Sequence, residues 1–207
     1  MNRHPFRAIC AVAVSAFALL AVCGCAARPE EALNQALEAL NAQQAGQFWI
    51  LNLSEDGESL SAAVDYAFEN GAPCFTHQGW DAEGVQSETR YQDGKLILPE
   101  GELPETVLEN TTQYRTLSEM AGVDLAPLQK GEIQAIMCEP GENGSRVYSV
   151  EMKRAVVTEQ APYASVWGAK YRRYVVDGGG HVVRIDVGND GPYAMAAVFA
   201  PYTDENK

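Results

Sequence analysis

Histidine is nearly absent from this chain. Of 207 residues three are His: His4 near the start, then His77 and His181, far apart. No H-x-x-x-H or C-x-x-C pair occurs, so the ligand spacing of a zinc site is missing. No G-x-S-x-G elbow and no S-x-x-K occurs either, so serine acyl chemistry has no visible nucleophile. Gly178-Gly179-Gly180 follows a strand pattern but opens no helix, and so reads as a hairpin loop and not a phosphate cradle. Basic residues are also scarce, 15 against 28 acids, for a net charge of −13. Such a surface repels nucleic acid, and no basic patch with interleaved aromatics offsets it. These absences give no catalytic residue, no metal site and no cofactor site; the chain reads as non-enzymatic.

Long apolar runs are scarce too, and the one present is informative. Ala8 to Gly24 is apolar or small throughout and is preceded by Arg3, His4 and Arg7. A basic head, a short apolar middle and small residues at the end make a secretory signal peptide. The run falls short of the roughly 20 residues that span a bilayer. Its end, Leu20-Ala21-Val22-Cys23-Gly24-Cys25, resembles the bacterial lipobox. That resemblance implies cleavage after Gly24 and a diacylglyceryl group on Cys25, with palmitate-type acyl chains as the membrane anchor. Cys23 is the competing acceptor, but it would leave branched Val22 at the cleavage point. The expected division is a cleaved signal over 1–24, a lipidated tether over 25–28, one antiparallel β-rich domain over 29–202, and a frayed tail over 203–207. The protein is expected outside the cytoplasm, held to the cell membrane or envelope by its N-terminal lipid.

Processing would leave two cysteines, Cys74 and Cys138. An even pair in an exported chain is a candidate disulfide; two buried thiols in strands are the alternative.

The remaining sequence falls into elements by period. Pro29-Glu30-Glu31 starts a helix, with proline in the first turn and acids at the positive end of its dipole. Leu33, Ala36, Leu37 and Leu40 form one apolar stripe; Asn34, Gln35, Glu38 and Asn41 are expected to face solvent. The helix should run to about Gln44. Beyond Gly46 the period drops to two. Strands are expected over Gln47–Ser54, Leu60–Glu69, Cys74–Trp80, Val85–Gln92, Lys95–Leu98, Glu132–Cys138, Arg146–Lys153, Val166–Val176, His181–Val187 and Tyr193–Ala200. Asn70-Gly71 and Asp93-Gly94 are hairpin turns by composition. Glu105–Met120 has mixed periodicity and reads as a helical or irregular insertion. Ala155–Ala161 has no clear reading. Lys170, Arg172 and Arg173 read as a solvated strand edge.

Each strand carries one face of large apolar side chains. Trp49, Leu51, Val64, Tyr66, Phe68 and Val150 are the candidate ligand-lining residues. A solid core beneath the helix and a cavity between sheet and helix both require this pattern.

A lipobox, an amphipathic N-terminal helix bearing Leu33/Leu37/Leu40, long antiparallel strands, a helical insertion midway and a late Asp177-Gly178-Gly179 turn together resemble the LolA/LppX-type lipoproteins. The resemblance implies an α+β fold: a curved antiparallel sheet, open as a half-barrel, packed against an N-terminal helix and a central helical insertion. It also implies a lipid or other apolar molecule as partner, and it carries no residue roles, since no family motif is matched. The alternative is a cell-surface interaction or accessory module with a solid core, of NTF2-like or sandwich type, and no internal ligand.

Overall fold

The computed structural model describes residues 28–81, 84, 86–98, 106–108, 114–154, 156–161, 164–189 and 192–200; over 156–161 and 164–167 it describes the backbone alone. The leader with Cys25, and the tail beyond 200, lie outside those residues.

Helix α1 spans Pro29–Asn41. Proline sits in its first turn, where no N–H is required, and Glu30 and Glu31 face the positive dipole end. Leu33, Ala36, Leu37 and Leu40 are all buried. The three leucines gain about 1.5–3 kcal/mol each from leaving water. The polar face is not simply solvated. Asn34 donates to the carbonyl of Leu128 (3.0 Å) and accepts from its N–H (2.7 Å). Asn41 donates to the carbonyl of Leu125 (2.8 Å). Two residues expected to face solvent thus clasp a segment more than 80 positions away.

The strands are β1 (Ala45–Ser54), β2 (Gly57–Glu69), β3 (Ala72–Trp80), β4 (Gln86–Gln92), β5 (Lys95–Leu98), β6 (Thr106–Leu108), β7 (Ile133–Pro140), β8 (Arg146–Met152), β9 (Val156–Ala161), β10 (Ala164–Gly168), β11 (Tyr171–Val176), β12 (Val182–Gly188) and β13 (Met195–Phe199). Eleven of them form one antiparallel sheet in the order β6-β5-β4-β3-β2-β1-β13-β12-β11-β8-β7, and it is not closed. β9 and β10 pair separately. With α1 and a short α2 (Leu117–Ala121), this is the expected α+β layout of an open curved sheet with helices against it.

Turn chemistry sets the N-terminal meander. Asn70-Gly71 and Asp93-Gly94 both have positive φ at both positions (52° and 79°, 52° and 75°), the type I′ geometry that suits the twist of paired strands. The insertion over Glu105–Met120 contains β6 and most of α2. A capping box holds the start of α2: the Thr116 side chain accepts from Glu119 N–H while the Glu119 carboxylate accepts from Thr116 N–H.

Three further expectations change. First, Val166–Val176 is two strands in two sheets, broken at Ala169-Lys170. Here Lys170 N–H turns to Asn189 Oδ1 and the Arg172 guanidinium bonds the Ala169 carbonyl. Second, β11 is an interior strand, and its cations are not a solvated edge. Arg172 is 3% exposed and pairs with Asp124 at 3.1 Å, while Arg173 points to the other face. Third, Cys74 on β3 and Cys138 on β7 are not joined by a disulfide. Six strands lie between theirs in the sheet, against the roughly 7 Å that a bridge tolerates between Cα atoms.

Candidate functional site

The two faces of the sheet are set by β1. Phe48 pairs with Val64 on one side and Phe199 on the other, and all three are buried on the face that meets α1. Ala197 and Ile185 continue that face, followed by Tyr174 and Tyr148 on β11 and β8. Beneath α1 it is filled by side chains, including Val123, Leu125 and Leu128 from the segment Asn34 and Asn41 hold.

The opposite face carries an ionic cluster. Asp186, wholly buried, accepts from Arg173 Nε at 2.5 Å and Arg184 Nε at 2.6 Å. Arg184 also makes a two-pronged contact with Glu58 (2.6 and 3.2 Å), joining β12 to β2 across β13 and β1. Tyr193 lies over the Arg173 guanidinium at 4.9 Å.

The apolar residues singled out from sequence divide between these faces. Val64, Tyr66 and Val150 are buried on the α1 side, and Phe68 is half-buried against the same core. Burial pushes the Tyr66 hydroxyl up to about 12, and it donates to Gln43. Trp49 and Leu51 alternate with Phe48 and Ile50, so they stand on the opposite face, beside Val198 and Ala196.

Three pockets lined by described residues lie against this framework. The first, about 520 Å³, is at the ends of β12 and β13, lined by Ala169, Val187, Gly188, Pro192, Ala194 and Met195, with Asn189. Among its described lining residues the one polar side chain is committed, since Asn189 Oδ1 accepts from Lys170 N–H. Gly188 is needed here: a Cβ would lie 2.5 Å from the Pro192 carbonyl oxygen. Through Val187 and Met195 the pocket abuts the main core.

The second pocket, about 340 Å³, lies over β2–β5 under residues 114–122. Val64, Phe75, Leu96 and Met120 line it with His77, Thr89 and Glu119. Phe75 stacks on Tyr91 (5.1 Å), and Tyr114 stands edge-on to both. Burial holds the His77 imidazole below its ordinary value and raises the Tyr114 hydroxyl.

The third, about 470 Å³, is polar, between α1 and the Asp177–Gly180 turn, with Arg146 and Gln35 on its walls. His181 sits 3.4 Å from Asp177 here, but that carboxylate also accepts from the N–H groups of Gly179 and His181 (2.9 Å each). The pair thus locks the turn.

Among the described residues no three His, Cys, Asp or Glu side chains converge as a metal site requires, and no helix is long and apolar enough to cross a membrane. Of the pocket linings, sequence reading singled out only Val64 as a ligand contact. Phe75 and His77, alternating on a strand opposite Thr89 and Tyr91, carried a signal for the second pocket. The first depends on loops that meet only in the fold.

No family model matches the sequence, and no curated protein does. Solved structures similar in fold include the Mycobacterium tuberculosis lipoprotein LppX, at 12% identity and a TM-score of 0.48, with 84% of this chain and 96% of that chain covered. A LolA superfamily protein of Nitrosomonas europaea aligns at 12% identity and a TM-score of 0.32, over 83% of this chain and 90% of that one.

Proposed function

We propose that the protein is a non-enzymatic, extracytoplasmic lipoprotein, anchored through lipid on Cys25, whose half-barrel holds a lipid or other apolar ligand in the pocket of Ala169, Val187, Pro192 and Met195. The observation that carries this reading is that pocket. Its volume lies in the range of small-molecule sites, its described lining is apolar apart from Asn189, and that side chain is already bonded. The lipobox-like Cys25 stands three residues before Arg28, so the domain would sit within about 15 Å of chain from the membrane. Two or more acyl chains give stable anchoring where one does not.

The test is binding of a fluorescent fatty acid to the mature chain carrying Cys25→Ser, compared with the same chain also carrying Ala194→Trp. Ala194 is exposed and lines the pocket, so tryptophan there fills the space without disturbing the core. At least a tenfold loss of affinity in A194W is expected; equal binding, or none to either protein, overturns the reading.

The filled face beneath α1 favours a second reading, an accessory module whose solid core supports a partner site. Protein purified from membranes that yields no extractable lipid and binds no probe would select it.

A further inference from the structure

We propose that the pocket over β2–β5 is a second, separate binding site, taking an uncharged apolar molecule that carries one hydroxyl group, with His77 as its polar anchor.

Position comes first. His77 pairs with Val64 and Thr89, so its side chain is on the α1-facing side of the sheet, between Phe75 and Gly79. The ring leans over Gly79: a Cβ there would meet His77 Cε1 at 3.1 Å. The bare backbone of Gly79 makes room for the imidazole, which lines the pocket beside apolar Val64, Phe75, Leu96 and Met120.

Chemistry comes second. The half-buried imidazole lines a largely apolar pocket, so a ligand that displaces water from it must supply a hydrogen bond in its place. Among the described lining residues the carboxylate is occupied: Glu119 Oε2 accepts from the backbone N–H groups of Arg115 (2.5 Å) and Thr116 (3.0 Å). That carboxylate, and a chain of net charge −13, oppose an anionic ligand. A plain hydrocarbon would fill the walls but leave the imidazole unsatisfied. A hydroxyl can donate to or accept from a neutral imidazole in either tautomer, and the Phe75–Tyr91–Tyr114 cluster gives the apolar part a rigid aromatic wall.

The test uses the mature chain with Cys25→Ser and three probes of one length: 1-decanol, decane and decanoate. Binding is read by competition against an environment-sensitive apolar dye, in the A194W background so that the first pocket is filled. Decanol is expected to bind about tenfold more tightly than decane, one good hydrogen bond's worth, and more tightly than decanoate. His77→Phe should bring decanol and decane to equal affinity, and His77→Gln should restore part of the difference. Equal binding of decanol and decane to the unaltered pocket overturns the proposal, as does a preference that survives H77F. Preference for decanoate overturns the choice of an uncharged ligand. Because the first pocket is already blocked, none of these outcomes depends on the function proposed for it.

Discussion

The two halves of the sheet are covered differently. From β13 through β8, α1 and the segment 123–128 cover the core face, and Phe199, Ile185, Tyr174 and Tyr148 are all below 5% exposed. From β2 through β5 the cover is residues 114–122, and Phe75, His77, Thr89 and Leu96 are only half-buried around open space. Close packing gives the first half its stability and leaves space only at the ends of β12 and β13; the second gives up burial and keeps a pocket lined over the strands themselves. A binding surface and a folding core both call for apolar residues, and the difference lies in whether another part of the same chain already covers them.

This contrast can be broken in several ways. The largest expected effect is Leu37→Ala. Leu37 is fully buried between α1 and the sheet, and its truncation should cost about 2–5 kcal/mol by urea denaturation. Leu96→Ala, in the open half, should cost roughly 1 kcal/mol or less, because that side chain is only half-buried. Equal losses would mean that the two halves are packed alike. Next is Asp186→Ala, which removes the buried partner of Arg173 and Arg184. Both arginines keep contact with water, so the loss should be about 1–2 kcal/mol, below that of a fully buried pair. A smaller change is expected for Glu58→Ala. Glu58 is half-exposed and joins β2 to β12 through Arg184, so about 0.5 kcal/mol should go, and less at high salt. A double-mutant cycle with Arg184 would measure how far that pair couples the halves. The smallest effect is a pH slope. Burial keeps His77 below its ordinary value, so the folded state binds fewer protons than the unfolded one. The stability this contributes is complete above about pH 6.5 and is lost as pH falls through the lower, folded value. His77→Gln should flatten that part of the stability–pH curve; an unchanged slope would show that the imidazole is not desolvated.

Local chemistry was legible in the sequence. The leucine stripe of α1 and the Asn-Gly and Asp-Gly hairpins each rest on residues within a few positions of one another. A capping box was legible too, in Thr116-Leu117-Ser118-Glu119, although the mixed pattern around it hid the short helix. Long-range chemistry was not. Arg172 is buried because Asp124, 48 residues earlier, meets it, and nothing near Arg172 announces that. Asn34 and Asn41 look like surface residues until Leu125 and Leu128 arrive. On β1 both parities are apolar, Phe48 and Ile50 against Trp49 and Leu51. Only pairing with Val64 and Phe199 decides which face meets the core. The first pocket stayed out of reach for the same reason, because Ala169 and Pro192 belong to different turns.

The place of β1 in the strand order has a kinetic consequence. It is the first of the described strands to be made, and it lies in the interior of the sheet. On one side it pairs at once with β2 through a tight hairpin; on the other its neighbour is β13, some 150 residues later. Contacts of such separation form late. Until Met195–Phe199 arrive, half of the backbone donors and acceptors of β1 lie along an open edge beside Phe48 and Trp49, and such edges recruit other chains. A nascent or truncated molecule lacking β13 would therefore be prone to aggregate, and the last of the described strands to be synthesised is the one that covers that edge.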